Sequence, residues 1–239
     1  MSKVAKFFWG FFLPFRAAGL ILRHPILLFW SAIPVAISIT LYYFGLRVAA
    51  QNFELGVKKL ILTMGVPQYG WLAVGVHWMV LLVVFIVGVV TFTYVCSLVA
   101  VPFNDFLAEA AERFVSPSLP PAPHASIPRK LFLMWIDFLK TLATMAVALL
   151  ALLISWVPVI GLLGFLVGAL AVSFQYLSFP QTRRGERVLV STHFLWQNLL
   201  ASAGLGAALS ILFLVPLVSY LIMPLAVVSG TMLYAQGKK

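Results

Sequence analysis

Hydrophobic positions along this chain fall into long unbroken runs, separated by short polar or proline-marked breaks. One of them, Trp71 to Val101, contains no Asp, Glu, Lys or Arg. About 20 apolar residues of α-helix cross a hydrocarbon core about 30 Å thick, so this run predicts a membrane-spanning helix with length left for tilt. Trp71, Trp78 and Tyr94 lie toward its two ends, where amphipathic rings favour the headgroup level. The helix is predicted to stop at Pro102, after which Asp105, Glu109 and Glu112 bring in negative charge within a few residues.

Residues 1–24 carry Lys3 and Lys6 and then Phe7, Phe8, Trp9, Phe11, Phe12 and Phe15. An aromatic stretch interrupted by Pro14 and Arg16 lacks the aliphatic run of a signal peptide. It predicts a helix lying in the membrane interface, with a gate over a pathway as the alternative. His24-Pro25 ends it, because proline supplies no backbone donor and restricts the residue before it. A second spanning helix follows from Ile26 to about Ala50, kinked at Pro34, and residues 51–69 form a connection on the far surface. Residues 26–101 thus make a transmembrane hairpin.

Residues 103–140 are predicted as helices joined by the proline-rich loop SPSLPPAPHASIP, with Asp137 and Lys140 marking a polar helix side. Two hairpins follow, 141–180 and 194–236, separated by a polar basic loop, Gln181 to His193. Their bends are placed at Pro158 and Gly161 and at Pro216, with Pro224 as a further break in the last arm. The seventeen residues before Pro158 give roughly 26 Å of helix, slightly short of a full crossing, and both hairpins are expected to be re-entrant or only partly penetrating. Gly164 and Gly168 are four apart, a spacing that permits close helix approach.

Composition bears on class. Hydrophobic residues make up 63% and charged residues 9%, with a mean hydropathy of +1.07; such a chain cannot clothe a soluble globule in polar surface. It reads as an all-α integral membrane protein with a single membrane domain over 1–239. The net charge of +10 does not point to nucleic acid, because the basic residues sit at the ends of apolar runs and face anionic headgroups. If every apolar unit is a hairpin, all of the 16 lysines and arginines but Arg47, Lys58 and Lys59 share one side. The positive-inside rule then places both termini in the cytoplasm.

Candidate chemistry is sparse. Glu109 and Glu112 share a helix face, and the segment through Pro102, Phe103, Asn104, Glu109, Glu112 and Arg113 is either a solvated helix end with a local salt link or the mouth of a pathway. Arg16, Arg23 and His24 are interfacial anchors or a source of positive charge for an anion. One cysteine, Cys96, and the scattered His24, His77, His124 and His193 support no metal site. No phosphate-binding glycine loop occurs, and Ser191-Thr192-His193 lacks the geometry of an activated nucleophile. No cofactor and no catalytic residue is expected.

Three stretches resemble the CysZ family of bacterial sulfate permeases, within a superfamily that includes the etoposide-induced membrane proteins. Ala100-Val101-Pro102-Phe103-Asn104 with Leu107-Ala108-Glu109 and Glu112 is similar to the family's Ala-Pro-Phe-Asn and Leu-x-Glu-x-x-Glu. Val157-Pro158-Val159-Ile160-Gly161 and Gln175-Tyr176-Leu177-Ser178-Phe179-Pro180 resemble its Pro-x-x-Gly bend and Gln-Tyr-x-Asp-Tyr-Pro. Val215-Pro216-Leu217 with Met223-Pro224-Leu225-Ala226-Val227 and Gly230-Thr231 resembles its C-terminal motifs. The resemblance implies two long transmembrane helices and two partly penetrating hairpins, an oligomer, and a channel-like permease passing sulfate or another small oxyanion across the bacterial inner membrane for cysteine synthesis. Where the family carries Pro-Gly-(Leu/Ile)-Arg-Arg, a place associated with sulfate, this chain has Pro25-Ile26-Leu27-Leu28. Anion binding there would fall to the helix N-terminus at Pro25, Ile26 and Leu27 and to Arg16, Arg23 and His24 nearby. The alternative is a non-transporting scaffold or assembly factor on the same fold.

Overall fold

A computed structural model describes residues 2–63, 65, 71–115, 127–156, 160–214 and 219–238. Among the described residues it holds nine α-helices and no strand: α1 (Lys3–Phe11), α2 (Leu13–Arg23), α3 (Pro25–Thr63), α4 (Trp71–Val115), α5 (Ile127–Ser155), α6 (Gly161–Arg183), α7 (Val188–Gln197), α8 (Leu199–Leu212) and α9 (Ser219–Gly237). The chain divides into two compact units, Met1–Ala32 with Pro102–Lys239, and Ile33–Val101.

Local chemistry explains the helix ends. Ser2 caps α1 by accepting the amide of Ala5 at 3.2 Å, which satisfies one of the free donors of the first turn. The single N-terminal helix expected from the pattern is two helices, bent by 44°; Pro14 stands in the first turn of α2, where its missing N–H is harmless. His24 is extended (φ −122°, ψ 109°), as a residue before proline prefers, and ends α2 where predicted.

Two boundaries differ from the pattern. Helix α3 does not stop near Ala50 but continues to Thr63; Gln51 to Thr63 contains no proline, and Glu54 and Lys58 stand at helix-supporting spacing. Nor does α4 end at Pro102. Leu107, Ala108, Glu109, Ala110 and Ala111 are strong helix formers, and they carry it on to Val115.

In the first unit α6 is central: α5, α8 and α9 all pack against it, while α1 lies on α8 and α2 on α9. Small residues set these contacts. A Cβ at Gly206 would fall on the carbonyl oxygen of Ala169, one at Gly230 on that of Tyr176, and one at Gly204 on that of Phe7. Gly164 lies against Ala151 and Ser155 of α5, with Gly168 also facing Ala151, so this pair carries the α5–α6 approach. Two apolar cores result. One joins Leu13, Phe174, Leu177, Leu205, Leu209 and Tyr234; the other joins Ala17, Ile21, Leu27, Leu107, Ala111, Val227 and Val228.

The second unit holds the remaining lengths of α3 and α4. Ile39, Tyr43, Phe44, Trp71, Trp78 and Phe85 are exposed along them, as suits helices whose solvent is hydrocarbon. Its two borders each fall beside a proline within a helix, Pro34 and Pro102.

Among the described residues three helices are long and apolar enough to cross a membrane, Pro25–Gly45, Leu131–Ser155 and Gly161–Arg183, and up to five if the bent pairs α1–α2 and α7–α8 each count as one. The protein is therefore a multi-span membrane protein. Helix α5 is 29 residues long and takes in Asp137 and Lys140, which the pattern assigned to a separate polar segment. The predicted basic loop 181–193 shrinks to a turn, since α6 continues to Arg183 and α7 starts at Val188. Gly185 holds that turn at φ +77°. Gly161 opens α6 at the predicted bend, whereas Pro224 lies inside a continuous α9. Pro158, Pro216, residues 66–69 and most of the proline-rich loop, including His124, lie outside the described residues.

Gly206→Ala is expected to destabilise detergent-purified protein by about 1–3 kcal/mol, because the methyl group meets backbone with no room to yield. Gly19→Ala, with open space around it, should be neutral or stabilising by up to about 1 kcal/mol. Thermal midpoints of the two variants check both.

Candidate functional site

Beyond Pro102, α4 presents Asn104, Ala108 and Glu112 at intervals of four, and all three are buried. Glu109 and Arg113 stand on the wetter side and pair at 2.8 Å, the local link that the spacing predicted. Arg183, at the end of α6, reaches the other oxygen of Glu109 at 2.9 Å and donates to the carbonyl of Asp105 at 3.3 Å. The next residue, Arg184, pairs with Glu112 at 3.3 Å, both side chains largely withdrawn from solvent. Adjacent arginines thus fasten the acidic face of α4 to the end of α6.

The turn after α6 adds a further carboxylate. Glu186 accepts from the phenol of Tyr234 at 2.7 Å and from Lys238 at 2.6 Å, both on the last helix segment. The guanidinium of Arg184 and the ammonium of Lys238 lie 5.9 and 5.2 Å from the centre of the Tyr234 ring, within cation–π range. On α5, Lys140 is fully buried and donates to the hydroxyl of Thr182 at 3.1 Å, with Asp137 and Glu186 as nearby negative charge.

The outcome is a gathering of charge. Asp105, Glu109, Glu112, Asp137 and Glu186 are five of the six acidic residues in the chain, and they meet Arg113, Lys140, Arg183, Arg184 and Lys238. Asp105 keeps solvent contact, yet removal of water by the surrounding protein, and then the charges of Asp137 and Glu109, push its carboxyl up to about 6 against the pull of Arg183. Ionising it therefore opposes folding, and its contribution to stability, present at acid pH, is lost as pH rises through about 6.

The network is not saturated. Among the described residues Gln181 has both amide atoms buried without a partner, and so do Glu112 Oε1, Glu186 Oε2, Arg184 Nε and Asn104 Oδ1. Buried polar atoms without partners cost about 1–3 kcal/mol each, so these atoms are the part of the network with hydrogen-bonding capacity left over.

The residues expected to hold an anion lie elsewhere. Arg16 and Arg23 are exposed and make no ion pair among the described residues. His24 donates from Nδ1 to the carbonyl of Leu20 at 2.9 Å and lies against Phe114, ring centres 4.1 Å apart. At the start of α3, Pro25 has no N–H and the amides of Leu27 and Leu28 both return to the carbonyl of His24. Of those four residues Ile26 alone keeps an amide for another acceptor. The Leu27 side chain is fully buried in the second core.

Of the mouth residues, Glu109 pairs with Arg113, Glu112 pairs with Arg184, Asn104 is buried and Phe103 is half-buried; the side chain of Pro102 is outside the described residues. The pattern missed Lys140, Gln181, Thr182, Arg183, Arg184, Glu186, Tyr234 and Lys238. One signal for them was present: two adjacent arginines in a chain with only six carboxylates must compete for the acidic pair three residues apart. His193 bonds to Gln197 at 2.9 Å rather than to Ser191, and no group of three His, Cys, Asp or Glu among the described residues could hold a metal.

Comparison with known proteins gives one consistent result. The family described as Sulfate transporter CysZ/Etoposide-induced protein 2.4 matches residues 13–224. A protein named Sulfate transporter CysZ from Pseudomonas paraeruginosa is 28% identical over 232 residues, 92% of each chain. Its namesake from Pseudomonas syringae pv. tomato is 27% identical over 238 residues, 91% of this chain and 88% of the relative. That from Pectobacterium atrosepticum is 28% identical over 171 residues, 69% of this chain and 62% of the relative.

Breaking the withdrawn pair should cost far more than breaking the wet one. Arg184→Gln is expected to destabilise by about 3–5 kcal/mol, since it strands Glu112, and Arg113→Gln by less than about 1 kcal/mol. Adding Glu112→Gln to Arg184→Gln should recover part of the loss, which denaturation midpoints of the single and double variants will measure.

Proposed function

We propose a function from one premise: the chain belongs to the Sulfate transporter CysZ/Etoposide-induced protein 2.4 family. The function is channel-like passage of a small oxyanion, sulfate by the names of its relatives, inward across the bacterial cytoplasmic membrane to supply cysteine synthesis, by a homo-oligomer with both termini cytoplasmic.

One observation carries this reading: five carboxylates and five cations gathered at the ends of otherwise apolar helices. Ionisable groups are costly there and mark ion routes. Arg183, Arg184 and Lys140 supply donors for an oxyanion, and the carboxylates facing them keep its binding weak. Conduction needs that balance, because an ion held too firmly does not leave. Asn104, Glu109, Glu112 and Arg113 form the cytoplasmic mouth, and Arg23, His24 and the amide of Ile26 are a secondary point of attraction.

The same cluster supports a membrane layout. If its ionic groups mark the membrane surface, only Thr141–Ser155 of α5 lies above it, 15 residues or about 22 Å of helix against about 30 Å of hydrocarbon. The α5–α6 hairpin then penetrates partly, and α8 and α9, of 14 and 19 residues, do the same. The long α3 and α4 cross fully, and α1–α2 lies in the interface.

A second reading, a non-transporting scaffold or assembly factor, is favoured by the absence of the family's two arginines from the stretch that follows Pro25. Reconstituted protein that passes no anion yet retains a constant partner would support it.

Labelled sulfate uptake in a strain lacking its other importers should exceed the empty-vector level, and equality would overturn the permease. Arg183→Gln should cut uptake about tenfold, the worth of one charge-assisted hydrogen bond, while Lys58→Gln should leave it nearly unchanged. Equal effects would count against the mouth.

In a Cys96→Ser background, a cysteine at Trp156, exposed at the tip of the α5–α6 hairpin, should resist an impermeant thiol reagent applied from outside. Ready labelling would mean a full crossing.

A further inference from the structure

Helix α1 has two faces with different fates. Phe7, Gly10 and Phe11 turn toward α8, where a Cβ at Gly10 would fall on the carbonyl of Ala201 and one at Gly204 on that of Phe7. The other face leads through the bend at Phe12 into α2. There Ala5, Phe8, Trp9, Phe12, Phe15 and Arg16 line an open concavity of about 620 Å³. Phe8, Phe12 and Phe15 are each at least half exposed, an expensive arrangement against water. Phe12 and Phe15 have ring centres 6.0 Å apart and form a continuous wall.

Arg16 is the only charged residue in that lining and makes no ion pair among the described residues. Its backbone amide is already bonded to the carbonyl of Phe12 at 3.2 Å, so the guanidinium is what the site offers an anion. A small free oxyanion would find one fork and five apolar neighbours, leaving most of its oxygens to water. An amphiphile meets both requirements at once: hydrocarbon covers the rings while an anionic head takes the bidentate fork.

We propose that the elbow between α1 and α2 binds one anionic phospholipid, its phosphate on Arg16 and its acyl chains along Phe8, Phe12 and Phe15. The site is distinct from the charged centre on α4, α5, α6 and α9 and stands whether or not that centre passes an ion. Its role is to fix the elbow, and through Gly10 the α1–α8 contact, at a set depth in the membrane.

Full-length protein in detergent, titrated with phosphatidylglycerol or phosphatidylcholine and examined by native mass spectrometry, should retain one phosphatidylglycerol in preference to phosphatidylcholine. Arg16→Gln should lower that retention roughly tenfold, as loss of a charge-assisted contact predicts, with Arg16→Lys intermediate. Lys59→Gln, on α3 and outside the concavity, should leave retention unchanged. Phe15→Ala should weaken retention of both lipids and keeps the test open if Arg16→Gln folds poorly. Equal retention by wild type and Arg16→Gln would overturn the proposal. So would displacement of phosphatidylglycerol by millimolar inorganic phosphate, which would mean a free-anion site. A change in protomer number in Arg16→Gln without a change in bound lipid would also overturn it, because a second copy would then cover the wall.

Discussion

The paired charges of Glu109, Glu112 and Glu186 with Arg183, Arg184 and Lys238 hold together the ends of helices that have little else to fasten them. Helices in hydrocarbon gain nothing by hiding apolar surface from one another, so association must come from close packing and from polar links. Here the two are divided in space. Glycine and alanine contacts bring α1, α5, α8 and α9 against their neighbours along their lengths, and the ionic network closes the ends. Loss of one member leaves a withdrawn charge alone, which is why its neighbours are constrained to stay.

That network also explains how a strongly basic protein can have a centre without a large excess of charge. Five carboxylates meet five cations, so the surplus of positive charge falls elsewhere, on residues such as Lys3, Lys6, Arg16, Arg23, Arg129 and Arg187, all exposed and without an ion pair among the described residues. Two functions are thereby separated. The surface cations carry the excess charge, while the cations of the centre are balanced by the acids beside them.

Much of the helical framework was legible from hydrophobic runs, and for a physical reason: in hydrocarbon the backbone must satisfy itself, so an apolar run of sufficient length can only be helix. The break at His24-Pro25 was equally plain. Pro102 misled, because a proline in a membrane helix can be carried by the helix formers that follow it. Lys140 misled in the opposite way. A lysine is ordinarily read as surface, but its place was decided by Thr182, 42 residues away, and no local pattern carries that information. The candidate site was half visible. Glu109, Glu112 and Arg113 announced themselves by spacing, whereas Gln181 to Glu186 looked like a loop until the turn at Gly185 folded it onto α4 and α9.

The packing of α1 on α8 and of α2 on α9 has a consequence for biogenesis. During synthesis the first helices emerge long before their partners and must wait, with their aromatic faces uncovered, while nearly two hundred residues follow. Glu186 likewise lacks its hydrogen bonds from Tyr234 and Lys238 until the chain's last helix is made. The native arrangement is therefore sealed late, by the helix made last of the nine described.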